Sequence, residues 1–198
     1  MDRAALPVGT RFGEIEIVRT LAVGGFGIVY LGHDHALGRE VAIKEFMPAH
    51  LVGRRDGLQV GMQSRGDPAE FAQGLQAFMS EARLLASLSH ASVVKVYRLW
   101  EANGTGYIAM PYLRGPTLGD IRRSMSEPPT ERWLRSVVEP LLDALATMHA
   151  AGVCHRDIAP DNIVMTASGV PVLLDFGAAR RLDASRVESV TAVLKPCY

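Results

Sequence analysis

His155-Arg156-Asp157-Ile158-Ala159-Pro160-Asp161-Asn162 forms a polar stretch between two structured segments. A carboxylate such as Asp157 in a cleft can orient a hydroxyl and take its proton, and the amide oxygen of Asn162 suits a hard cation. Read alone, the stretch is equally an ordinary polar loop. Before it, Thr130–Ala151 has the apolar spacing of a long helix, closed by Gly152, with Pro140 expected to kink it or cost it a hydrogen bond. A shorter helix is predicted over Leu118–Ser124, after a hinge-like Gly115-Pro116. After it come strand-like pieces at Ile163–Met165 and Val172–Leu174, then Asp175-Phe176-Gly177. An aspartate ending an apolar strand is costly unless a cation or partner satisfies it.

The first half of the chain has a different period. Residues 1–10 read as a loose lead-in, and Phe12–Leu21 alternates like a half-buried strand. Gly24-Gly25-Phe26-Gly27 interrupts before a second strand, Ile28–Leu31, and Val41–Lys44 makes a third. Glycines between strands let backbone N–H groups approach a polyphosphate, although an ordinary hairpin turn has the same look. The ending of a Walker loop is missing. Residues 46–69 read mainly as loop with a small hairpin, and residues 70–87 as a helix carrying Glu81. Val93–Trp100 and Tyr107–Met110 read as two strands joined at Asn103-Gly104. In isolation Lys44 would be a snorkelling surface lysine and Glu81 a solvated glutamate.

Composition narrows the classes. The 198 residues carry 21 basic and 21 acidic side chains, so a dedicated nucleic-acid binder is not expected. Only three of the basic residues are lysines, against 18 arginines, so Lys44 stands out. Two cysteines, Cys154 and Cys197, cannot build a disulfide framework or a four-ligand zinc site. The longest stretch without a charged side chain, Thr20–His33, is too short and glycine-rich to span a bilayer. These features lead to the expectation of a cytoplasmic protein with no membrane segment, and of Cys154 buried beside the polar loop.

Glycine loop, Val41-Ala42-Ile43-Lys44, helix glutamate, His-Arg-Asp with its later asparagine, and Asp-Phe-Gly occur in the order found in the protein kinase superfamily. From Phe12 to Tyr198 the chain resembles a bacterial serine/threonine protein kinase. That resemblance implies an α+β, two-lobe fold, with a complete β-rich N-lobe carrying one helix and a partial helical C-lobe. Residues 11–113 would be the N-lobe and hinge, and 114–198 the C-lobe through the activation segment. It implies ATP with Mg2+, or Mn2+ in its place, and a protein substrate phosphorylated on serine or threonine. By the same resemblance, Leu21, Gly24, Gly25, Phe26 and Gly27 would cover the nucleotide. Lys44, oriented by Glu81, would hold its α- and β-phosphates. Val29, Ala42 and Val164 would sandwich adenine, with Met110 behind it and Pro111 and Leu113 at the hinge. Asn162 and Asp175 would bind the metal, and Asp157 would receive the substrate proton. Arg156 would dock a phosphate on Ser185, Ser189 or Thr191.

Three departures qualify this. Ala22 replaces the first loop glycine. Ala159 stands where such kinases carry a lysine, leaving Lys195 as a substitute cation. The sequence stops at Tyr198, just before the position of the family's Ala-Pro-Glu motif, with Cys197 in place of a glycine. A truncated catalytic domain with exposed apolar surface on its second lobe, and weak or no phosphotransfer alone, is the expectation. Two alternatives are a nucleotide-binding, pseudokinase-like module that docks a partner, and a gene fragment that does not fold.

Overall fold

Alternating side chains build the first lobe. In the computed structural model, residues 4–174 are described in full and residues 180–181 as backbone. Strands β1 (Arg11–Phe12), β2 (Ile15–Val23), β3 (Gly27–Asp34) and β4 (Arg39–Phe46) run antiparallel in succession. A hairpin, β5 (Val52–Arg55) and β6 (Gln59–Met62), and helix α1 (Pro68–Ala86) intervene before β7 (Arg98–Ala102) and β8 (Thr105–Pro111). The six-stranded sheet has the order β1-β2-β3-β4-β8-β7.

The period of two gives the sheet two different faces. Tyr30, Val41, Ile43 and Tyr107 enter a core with Ile15, Ile17 and Ile28 on one side. Phe46 and Ile108, on the other, meet Phe78, Met79 and Ala82 of α1. That helix starts where Asp67 accepts a hydrogen bond from the Ala69 amide and Pro68 presets the first turn.

The second lobe holds α2 (Leu118–Ser124), α3 (Glu131–Ala150), and short strands β9 (Val153–Cys154), β10 (Ile163–Met165), β11 (Pro171–Leu173) and β12 (Arg180–Arg181). A capping box between Thr117 and Asp120 opens α2. Hydrogen bonds from Thr117 and Arg123 hold the Asp120 carboxyl down at about 2. Val137, Ala144 and Met148 are the buried stripe of α3, which runs on through Pro140. Leu134, Val138 and Leu142 form an exposed stripe on the same helix. The resulting α+β, two-lobe architecture is the one anticipated. Among the described residues no helix is long and apolar enough to cross a membrane.

Three local expectations change. Leu6, in the segment read as loose, is 4 % exposed in the sheet core, and the Gly9 amide donates to the Ile17 carbonyl. The chain from Val93 to Tyr97 is not a strand. Val93 and Val94 are instead buried against Leu173 of the second lobe, so their apolarity serves an inter-lobe contact. Cys154 is only half-buried.

A polar network sits inside the apolar face of the sheet. Glu45 is fully buried and its carboxylate accepts from the hydroxyls of Tyr30 and Tyr107, each at 2.6 Å. Arg54 of β5, with a side chain 1 % exposed, donates to the same carboxylate at 2.5 Å. The guanidinium also donates to the carbonyls of Ala4 and Leu58, and the Leu6 amide donates to Tyr30. Burial pulls Arg54 downward, but the Glu45 hydrogen bond and charge outweigh it and its pKa rises. Burial, reinforced by the Glu45 charge, raises both tyrosines well above their ordinary range. Unfolded tyrosines ionise near pH 10 while these keep their protons, so the unfolded chain binds fewer protons there. Thermal melts should therefore show a Tm that falls above about pH 10, with a shallower slope in Tyr107→Phe. A Tm flat through that range would contradict the network.

Candidate functional site

Strand register brings most of the anticipated first-lobe residues side by side. Lys44 of β4 lies opposite Val29 on β3 and Ile108 on β8, and Ala42 lies opposite Met110. The pleat puts Ala42, Lys44 and Phe46 on one face, the face covered by α1. Glu81 is half-buried on that helix. A register shift between Thr20 and Ala22 leaves Leu21 as the extra residue of a bulge, a device that re-aims side chains beside binding sites.

The glycine turn is tied down on one limb. Gly24 donates to the Gly27 carbonyl at 2.9 Å, and Gly27 pairs with Phe46. A Cβ at Gly27 would strike the backbone carbonyl of Glu45, so only glycine fits. Beyond β4, the amides of Met47 and Ala49 donate to the carbonyls of Phe26 and Gly25, both at 3.0 Å. Phe26 itself is 73 % exposed, edge-on to His50.

From the second lobe, Val164 reaches the linker between lobes. It bridges to Thr117, and Met165 donates to the Pro116 carbonyl. Gly115 packs so closely on the Met165 carbonyl that a side chain there would collide with it. Met110 and Leu113 pack against the second-lobe core. Pro111 ends β8 and pairs with Val41.

The polar loop is internally bonded. The side-chain amide of Asn162 donates to both the backbone carbonyl and Oδ2 of Asp157, each at 2.9 Å. His155, 1 % exposed, accepts from the Asp157 amide at Nδ1, 3.2 Å away. Its Nε2 therefore carries the hydrogen and donates to the Leu174 carbonyl at 3.2 Å. Leu174 in turn donates to the Asn162 carbonyl at 2.7 Å, so the loop and the end of β11 form one unit. Arg156 takes a left-handed φ of 65°, uncommon without glycine. Ala159 is buried. Asp161 accepts from Arg123 of α2 at 3.2 Å.

A sequence model of the protein kinase domain matches residues 15–196. The chain belongs to the protein kinase family. Its kinase domain is of the bacterial serine/threonine type, as its relatives indicate. It is 35 % identical over 182 residues to the probable serine/threonine-protein kinase pknA2 of Bifidobacterium longum, covering 92 % of this chain and 22 % of that protein. It is 31 % identical over 184 residues to the serine/threonine-protein kinase pkn2 of Myxococcus xanthus, covering 91 % and 20 %. A solved structure of PpkA-294 in its apo form superposes with a TM-score of 0.82 at 45 % identity, covering 88 % of this chain and 62 % of that one. The kinase chain thus spans about a fifth of the length of these two curated relatives.

Asp175, Lys195 and the candidate phosphosites Ser185, Ser189 and Thr191 lie outside the described residues. Sequence reasoning missed two features around the candidate site. One is the buried network of Glu45 with Arg54, Tyr30 and Tyr107 on the opposite face of β4, for which an acidic residue directly after Lys44 in an apolar strand was the available signal. The other is the pairing of Asp161 with Arg123, which nothing in local sequence marks.

Proposed function

We propose that the chain supplies the ATP-binding and phosphoryl-transfer face of a protein kinase acting on serine or threonine. Asp157 receives the substrate hydroxyl proton, and Lys44, oriented by Glu81, holds phosphate oxygens. Leu21, Gly24, Gly25, Phe26 and Gly27 roof the nucleotide. Val29, Ala42, Met110 and Val164 line the adenine slot, with Pro111 and Leu113 along its hinge edge. The observation that carries this reading is the Asp157–Asn162 bond: one carboxylate oxygen is fixed by an amide, and loop and strand end are locked together.

The donor set fits a magnesium ion. Among the described residues no three carboxylate, histidine or cysteine side chains cluster as a metal cage. Magnesium is commonly held by one or two protein oxygens plus substrate phosphates, and Asn162 with Asp175 would provide those oxygens. When bound, the ion supplies charge neutralisation at the phosphates. Ala159 leaves a gap in that electrostatics: losing one such contact costs on the order of 3 kcal/mol of transition-state stabilisation. Lys195 is proposed to make it up.

Affinity for a fluorescent ATP analogue, with and without Mg2+, tests the first half of the proposal. Binding that tightens with Mg2+ and weakens at least about tenfold in Lys44→Ala is expected, since a charged phosphate contact is lost. Transfer of labelled phosphate to a serine-containing protein tests the second half. Binding without transfer in the complete protein would favour a nucleotide-binding module that works by docking. No Mg2+-dependent binding at all would overturn both readings.

A further inference from the structure

We propose that Arg54 and Glu45 are a register lock on β4, making Arg54 a positioning residue for nucleotide binding although it lies on the far face of the sheet. The inference rests on the ATP-binding reading above. Glu45 follows Lys44 directly, so the pleat sends their side chains to opposite faces. A slip of one residue would exchange them. The network forbids that exchange electrostatically. The pocket facing Glu45 already holds the Arg54 guanidinium, with the hydroxyls of Tyr30 and Tyr107 turned to donate. An ammonium group put there would meet a like charge.

What the lock holds is more than Lys44. Running on from β4, the amides of Met47 and Ala49 carry the carbonyls of Phe26 and Gly25. The same run leads straight into the hairpin that supplies Arg54. Gln63, just after β6, donates to the carbonyls of Ala49 and Val52 at 2.9 and 3.0 Å. The hairpin and the residue after it therefore tie down β4 and its continuation: Arg54 holds Glu45 of β4, and Gln63 holds Ala49 on the stretch that carries the glycine turn. Apolar side chains could anchor such a hairpin equally well, since a buried ion pair is weak evidence of stability. A charge pair adds choice of register.

The test is the double variant Glu45→Gln/Arg54→Met in the full 198-residue chain, which removes the charge pair without leaving a charge unpaired. We expect a thermal midpoint close to that of the unsubstituted chain. Affinity for the Mg2+ complex of a fluorescent ATP analogue should fall on the order of tenfold, as misplaced binding groups cost more than their own contacts. Hydrogen exchange at the Met47 and Ala49 amides should quicken, with the amides of α3 unchanged. A merely structural pair would leave affinity and those two amides alone. If the double variant fails to fold, Tyr30→Phe removes one tie and should show the same pattern at roughly twofold. Unchanged affinity and exchange in a folded variant would overturn the lock while leaving the nucleotide reading intact. Failure of the unsubstituted chain to bind would overturn both.

Discussion

Arg54→Met alone should destabilise the protein by about 3–5 kcal/mol, because it leaves the Glu45 carboxylate buried with no cation. Glu45 and Arg54 are 0 % and 1 % exposed, so water cannot take over the lost contacts. Two tyrosine hydroxyls remain as donors to the carboxylate, but neither offsets its charge. The carbonyls of Ala4 and Leu58 lose their donor in the same step. For a chain of this size the loss corresponds to a drop in Tm of roughly 6–20 °C. The double change Glu45→Gln/Arg54→Met should recover most of it, since neutral groups then fill the site. Denaturant midpoints of the three proteins measure both effects. A single variant within about 1 kcal/mol of the parent would mean that water or a rearranged partner reaches Glu45.

Asp157→Asn has the largest effect expected on chemistry. Measured in the complete protein, phosphotransfer should fall by about 10²–10⁴, the usual contribution of a placed proton acceptor. Asparagine can still accept the hydrogen bond from Asn162, so the loop keeps its shape. Nucleotide affinity should therefore stay within about twofold, because the substitution removes basicity and little else. A fall in kcat with KM for ATP unchanged is the signature to look for. Equal turnover would remove Asp157 from its proposed role.

Local patterns carried much of this architecture. The alternation in β2 and the apolar stripe of α1 were plain in sequence, and Leu118–Ser124 forms the helix anticipated. Motif order pointed to the family because Lys44, Asp157 and Asn162 stand at separated positions that chance does not align. What stayed hidden depends on long-range pairing. Leu6 becomes core only because Tyr30 and the hairpin stand over it, 24 residues on in the case of its hydrogen bond. Val93 and Val94 have strand-like side chains, yet the Val94 amide donates to the Leu173 carbonyl of the second lobe, and the Val93 amide turns back to the His90 carbonyl. Arg54 in a turn-rich, glycine-rich stretch looks like a solvated side chain, and only the folded hairpin shows its target.

The imidazole of His155 acts as a fixed spacer. One nitrogen seats the amide of Asp157 and the other seats the carbonyl just ahead of Asp175. The Asp157 amide and the Leu174 carbonyl are thus gauged from a single flat ring of invariant width. A replacement ring or chain of another length would reset the interval between those two backbone groups.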